Sequence, residues 1–448
     1  MTHRLWRLIR LTAAGTVLVG LGAALFGMSA VARRSPAHHH PAPAAKAVNA
    51  KLYAQGRRVF RFDTFGDQAF WGGQLQLHKA IEGKKLGGVG PGVSPKTALA
   101  VGLKVDANAL PTSLITALKH GKVNLNSPKT TLALLKLNAV VGVKGYFNRE
   151  GTLRSVGLTC AVCHSTVNNS VAPGIGQRLD GWANRDLNVG AVVSLAPNLT
   201  PVTNLLGVDA TTVKKVLASW GPGKFDAELF LDGKAFQPDG RSGAALIPPA
   251  FGLAGVNLHT WTGWGSIPYW NAFVANLEMH GIGNFFDARL DNAQQFPVAA
   301  KNGFGHVHHS VDLVTPVLGA LQYYQLGLPV PKPPKRSFNA AAAARGKRLF
   351  DGKATCSSCH VPPTFSAPGN NVVTPAQVCE DSFEADRSPT HEYRIAPLRG
   401  LFTHEKGGFY HDGRFPTLGA VVQHYDSCFN LHLTPKQQND IVQYLKSL

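Results

Sequence analysis

The sequence predicts a mainly α-helical, exported chain with two units, each built around one Cys-x-x-Cys-His segment and joined through long loops. Three observations carry this. The segments "CAVCH" at 160–164 and "CSSCH" at 356–360 fall on opposite sides of a Pro-rich stretch at 331–337. Between them, apolar residues recur at helical spacing in short patches broken by many Gly and Pro. Finally, residues 11–32 run without a charge after Arg4, Arg7 and Arg10, the pattern of an export signal or a membrane-anchor helix.

With 448 residues the chain is too long for one ordinary core. Residues 1–34 read as a signal peptide or membrane anchor. Ala30 to Ala32 offer small residues to a signal peptidase, while Arg33 and Arg34 follow at once, so cleavage and anchoring both stay open. Either way the rest lies outside the cytoplasm, periplasmic or otherwise extracytoplasmic, where disulfides persist. Residues 35–50 form a Pro/Ala/His linker. Residues 51–330 form the first unit with an extension, 331–337 the connector and 338–448 the second unit. In the second unit an Ala-rich helix is expected over 339–350, ahead of the motif. Thr434 caps a terminal helix that starts at Pro435 and carries Ile441, Val442, Tyr444, Leu445 and Leu448 on one face. Phe350 and Tyr444 are expected where the two helices cross.

Lys and Arg outnumber Asp and Glu by 45 to 26, a net charge of +19. That excess suits acidic redox proteins or anionic lipid heads. Nucleic acid is not expected, because no run of five like charges and no recognition motif accompanies the basicity.

Paired cysteines two residues apart serve three chemistries. A zinc site needs two pairs close in sequence, and these lie 196 residues apart. A thioredoxin-like pair needs a strand ahead of it, and neither motif follows a β-branched run. The third is covalent haem attachment, where two thiols add to the porphyrin vinyls and the adjacent imidazole binds iron. Cys160, Cys163 and His164 are assigned to one c-type haem, and Cys356, Cys359 and His360 to a second. The crossing of a leading and a terminal helix is the frame of a small class I cytochrome c, which the second unit resembles.

The opposite face of each iron decides between electron transfer and small-molecule chemistry. No Met follows His360, since the chain's methionines are Met1, Met28 and Met279. For the second haem the candidates are Tyr425, with His424 and His411 as alternatives. Thr417 caps a helix whose Leu418, Val421, Val422 and Tyr425 share one face. For the first haem, Trp270, Phe273, Val274 and Leu277 share a helical face. Met279 lies on the opposite side of such a helix from Trp270. The segment "YWNAFVANLEMHGIGNFFD", among others, makes the first unit similar to RoxA-type rubber oxygenases. That similarity implies that Trp270 lines this haem's pocket and that Met279 is not its ligand; Phe285 and Phe286 would then add apolar wall around an iron open to peroxide or O₂. The alternative closes that iron with His259, His280, His306, His308 or His309. Trp182 is a candidate aromatic between the haems. Cys379 and Cys428 are expected to pair.

"HEYRIAPLRGLF" followed by "FYHDGRFPTLGAVVQHY" resembles the C-terminal domain of di-haem cytochrome c peroxidases and MauG-type enzymes. The resemblance implies a Met or Tyr ligand fourteen residues after the His of His-Asp-Gly, which is Tyr425 counted from His411. It also implies that Arg394 and Arg399, in the Arg-x-x-Pro-x-Leu-Arg element, contact cofactor. The first unit is similar to RoxA-type rubber oxygenases in "FRFDTFGDQAFW", "ALAVGLKVDANALP", "GWANRDLNVG" and "YWNAFVANLEMHGIGNFFD". Those enzymes have a longer C-terminal half, and the family implies His ligation of the second haem. The expected function is haem oxidoreduction, with electrons passing through the C-terminal haem to peroxide or O₂ at the first, and a redox protein as partner. Dioxygenation of an organic substrate and simple electron transfer are the alternatives.

Overall fold

Asn49 opens the described residues, 49–448 of a computed structural model, by capping the helix Ala50–Phe62 with a side-chain oxygen that accepts from Leu52 N. The expected signal or anchor, and all of the linker but its last two residues, lie outside the described residues. The fold is mainly helical, with 43% helix against 11% strand. No described helix is long and apolar enough to cross a membrane.

The second unit has the expected frame. Asn339 caps Ala340–Asp351 and Thr434 caps Pro435–Ser447 in a full capping box. The helices cross at Gly346, where a Cβ would lie 1.9 Å from the Asp440 carbonyl oxygen, so only glycine permits the approach. Arg345 grips Asp440 with two hydrogen bonds of 2.8 and 2.7 Å. Phe350 and Tyr444 meet edge to face at 5.2 Å.

The first unit repeats this crossing. Ala50–Phe62 packs on Leu318–Leu326, and a Cβ on Gly56 would lie 1.9 Å from the Ala320 carbonyl oxygen. Phe60 meets Tyr324 at 5.4 Å. The sequence carries the signal as "GRRVF" at 56–60 and "GKRLF" at 346–350, a short repeat that our sequence reading passed over. The first frame differs by a long insertion between its leading helix and Cys160. That insertion includes an antiparallel hairpin, Val143–Phe147 with Leu153–Leu158, that runs directly into the motif. A strand therefore does precede the first motif, against expectation. It belongs to an antiparallel pair rather than a βαβ unit, so the thioredoxin alternative gains nothing.

Apolar cores separate across the Pro-rich connector: two large ones and a small one lie within residues 59–328, and another within 343–445. Polar contacts cross it, and residues 49–448 form one unit. Residues 380–415 of the second half lie against the first. Arg387, fully buried, donates to Asp226 at 2.7 Å and Asp232 at 2.8 Å. Leu246 N donates to the His411 carbonyl at 2.6 Å, and Arg394 N to the Trp261 carbonyl at 2.8 Å.

Cys379 and Cys428 are bonded, with Cα atoms 6.1 Å apart. The bridge ties the 380–415 segment to the end of helix Leu418–Cys428, which carries Tyr425. Replacing both cysteines by Ser should lower unfolding stability by about 2–4 kcal/mol. A denaturant melt checks this, and an unchanged midpoint would show that the loop is held by its other contacts.

Candidate functional site

Both motifs present a histidine arranged as a metal ligand. His164 ends the short helix Ala161–His164, and its Nδ1–H donates to the Pro248 carbonyl at 3.1 Å. His360 Nδ1–H donates to the Phe365 carbonyl at 2.9 Å. A carbonyl acceptor on Nδ1 fixes the tautomer and leaves the Nε2 lone pair for a metal. Burial holds both imidazoles neutral: it pushes His164 down to about 4 and also lowers His360. The four motif thiols are free.

The first motif opens onto a cavity of about 310 Å³, within the size range of cofactor pockets. Cys160, Cys163 and His164 line it, and its wall is overwhelmingly apolar. Trp270 lines it, with its Nε1 lacking a hydrogen-bond partner among the described residues. Phe285 does not line it. Residues Phe285–Phe286 form a strand paired with His306–Val307, and Phe285 packs on Tyr269 and Phe273, both at 5.6 Å. Phe286 is exposed to solvent. The helix expected here is also irregular. Ile267–Phe273 is α-helical, but Val274–Glu278 continues with π geometry, which turns each residue through a smaller angle. Met279 and His280 consequently face the same cavity as Trp270, and Phe273 and Leu277 do not. His280 adopts a left-handed backbone (φ 58°) and stacks on Phe70 at 3.7 Å. His259 lines the cavity too, while His306, His308 and His309 are exposed.

Three carboxyl groups also face the cavity, and our sequence reading named none of them: Glu228, Glu278 and Glu384. Burial, with the negative charge of Glu228 and Asp226 nearby, pushes Glu278 up to about 8. Burial lifts Glu228 to about 7 and holds Glu384 well above the usual range, with Glu228 adding to the latter. They come from three distant stretches, so no local spacing marks them. Glu384 and Arg394 belong to the second half, which thus completes the wall of the first cavity.

Arg394 supplies a test of what the cavity holds. Its guanidinium donates to the Leu258 carbonyl at 3.3 Å, but its buried Nε has no partner among the described residues. Burial lowers its pKa to about 10. A buried guanidinium beside an apolar cavity calls for an anion, and a haem propionate supplies one. The donor set of two thiols, an oriented imidazole and this cation fits a c-type haem.

At the second motif, Tyr425 packs against Tyr410, His424 and Phe429, close enough to the motif cysteines for their charge to reach it. Burial first, softened by the Tyr410 hydroxyl, then charge at Glu380, Cys359 and Cys356, push its phenol up to about 12. His424 packs between Tyr410 and Phe415 with its Nε2 buried and without a partner among the described residues. His411 is held differently, donating from Nδ1 to Glu380 at 2.7 Å and stacking on Tyr393. Arg399 is partly buried beside Leu398, whose N–H shares the Phe365 carbonyl with His360. Trp182 meets Phe402 edge to face at 5.7 Å, a contact between the two halves.

No family model matches the chain, and no curated protein sequence does. Solved structures overlap with it in part. The chain is similar to Kuenenia stuttgartiensis hydrazine synthase at 21% identity and TM-score 0.23, over 34% of this chain and 61% of that one. It is similar to a MauG-like protein associated with microbial copper homeostasis at 14% identity and TM-score 0.31, over 49% and 76%. A variant of the diheme peroxidase BthA from Burkholderia thailandensis matches at 15% identity and TM-score 0.30, over 51% and 77%. Overlaps of this size do not transfer a function, so the chemistry of this chain rests on its own residues.

Proposed function

We propose that the chain is an extracytoplasmic di-haem c-type oxidoreductase that reduces peroxide in the first cavity, with electrons entering through the second motif from a redox partner protein. The observation that carries the reading is the cavity itself: an attachment motif with an oriented histidine opens onto an apolar chamber that also contains protonatable carboxyls. Bound there, haem supplies a redox-active iron. The chain's own groups supply the rest. The apolar wall around Trp270 excludes water. Glu278 holds a proton near neutral pH and can pass it to a departing oxygen. Glu228 and Glu384 are placed to replenish it. Trp182 and Phe402 bring aromatic rings of the two halves together. At the second motif, Tyr425 is the proposed iron ligand, supported by its place on the helix Leu418–Cys428 and by the reach of the Cys356 and Cys359 charges to its phenol, and His424 is the alternative.

A second reading is electron transfer without catalysis. It is favoured by His259, Met279 and His280, three side chains with iron-binding chemistry in the same cavity as His164. One set of measurements decides between them. Intact mass of chain matured in a host that attaches c-type haem should show two added groups. The ferric EPR spectrum should then contain a high-spin signal from the first site, and the reduced protein should bind CO. Two low-spin signals and no CO binding would remove the peroxidase reading.

A further inference from the structure

We infer that Arg185 and His404 form a buried carboxylate-binding site at the junction of the two frames, filled by a propionate of one of the attached haems. The inference rests on the di-haem reading above. Among the described residues three arginines are almost wholly buried: Arg178, Arg185 and Arg387. Two have carboxylate partners, Arg178 in Asp180 and Arg387 in Asp226 and Asp232. Arg185 has none, and its Nε and Nη1 are buried without a hydrogen-bond partner among the described residues. The adjacent Asp186 is already committed, to Lys104 at 2.5 Å and to Lys406. His404 Nε2 is buried and without a partner in the same way.

The place matters as much as the missing partner. Gly181 N donates to the His164 carbonyl and Asn184 N to the Cys163 carbonyl, both at 2.8 Å, so Arg185 follows directly on a segment bound to the first motif. His404 ends the turn Leu401–His404, a few residues after Leu398, which shares its carbonyl acceptor with His360 of the second motif. The His404 ring lies 6.4 Å from that of Phe251. Burial, with the Arg185 charge nearby, pushes His404 down to about 3, which keeps its imidazole neutral. Burial alone lowers Arg185, with no carboxylate offsetting it. A guanidinium removed from water is costly unless an anion joins it. Its planar fork fits a carboxylate, and a neutral imidazole can add one N–H donor. Since the described residues offer no uncommitted acid here, the carboxylate comes from the cofactor or from a free small acid.

The test uses the full matured chain with Arg185→Gln, Arg185→Lys and His404→Gln. Intact mass counts haems, resonance Raman reads the propionate-bending bands, and potentiometric titration with and without sodium acetate reads each midpoint. We expect Arg185→Gln to keep both haems, shift one propionate band and lower one midpoint, with Arg185→Lys restoring the midpoint. His404→Gln should shift the same band. Bands and midpoints unchanged in Arg185→Gln would overturn the proposal. So would unchanged bands together with a midpoint that responds to acetate only in the wild type, which identifies a free carboxylate as the occupant. Should Arg185→Gln fail to accumulate, unchanged bands in both other variants overturn it equally. A wild-type mass without haem removes the di-haem reading and this proposal with it.

Discussion

Glu278→Gln is expected to lower kcat for peroxide by roughly 10²–10⁴-fold, the usual contribution of a positioned acid–base group, while leaving the Soret band and haem content intact. Glu278 faces the cavity, and burial beside Glu228 and Asp226 pushes it up to about 8. At neutral pH it is therefore a proton donor. The same shift gives a stability signature independent of turnover. A carboxyl whose folded pKa lies above its ordinary value binds more protons folded than unfolded. Its contribution is full below about 4.5 and is lost as pH rises toward about 8. Wild-type stability should fall across that window, and Glu278→Gln should flatten part of the fall in denaturant melts taken at several pH values. Turnover within a few-fold of wild type would exclude Glu278 as the acid and direct attention to Glu228 or Glu384.

Arg387→Met should destabilise the chain by about 3–5 kcal/mol, because it leaves Asp226 and Asp232 buried without their cation. Even with Arg387 present, burial raises Asp226 to about 6, so without it the carboxyls must take up protons. The loss should accordingly grow with pH. Adding Asp226→Asn and Asp232→Asn to Arg387→Met should recover most of it, since neutral amides cost less to bury than unpaired charges. Equal melting of Arg387→Met and wild type would mean that water reaches this cluster. Arg387 sits one turn after Glu384, so its loss should also loosen the first cavity and weaken CO binding there.

The motifs were legible in sequence because the spacing that haem attachment would demand is contiguous: two thiols and an imidazole within five successive residues. The terminal helix crossing was legible from one cap and the apolar faces, with Thr434, Phe350 and Tyr444 where expected, while Asn339, read as the first residue of the leading helix, caps it instead. The equivalent crossing in the first unit was not, because a long insertion separates "GRRVF" from Cys160 and hides the repeat. Of the two residues expected at the first pocket, Trp270 lies on the cavity and Phe285 does not. A regular helical period was assumed where Val274–Glu278 takes π geometry, and Phe285 was read as pocket wall where it pairs as a strand. The carboxyl trio and Arg185 left no local pattern. They acquire meaning only when chain segments from 50 to more than 200 residues apart come together.

The wall that Glu384 and Arg394 give to the first cavity has a consequence for biosynthesis. On the proposed function, Cys160 and Cys163 would leave an export channel while the residues that close their chamber had yet to be translocated. Attachment machinery would then meet an open cleft, with enclosure following only once the last portion of the polypeptide arrived. Severing the chain within the Pro-rich stretch should yield a leading fragment that can be loaded but not sealed.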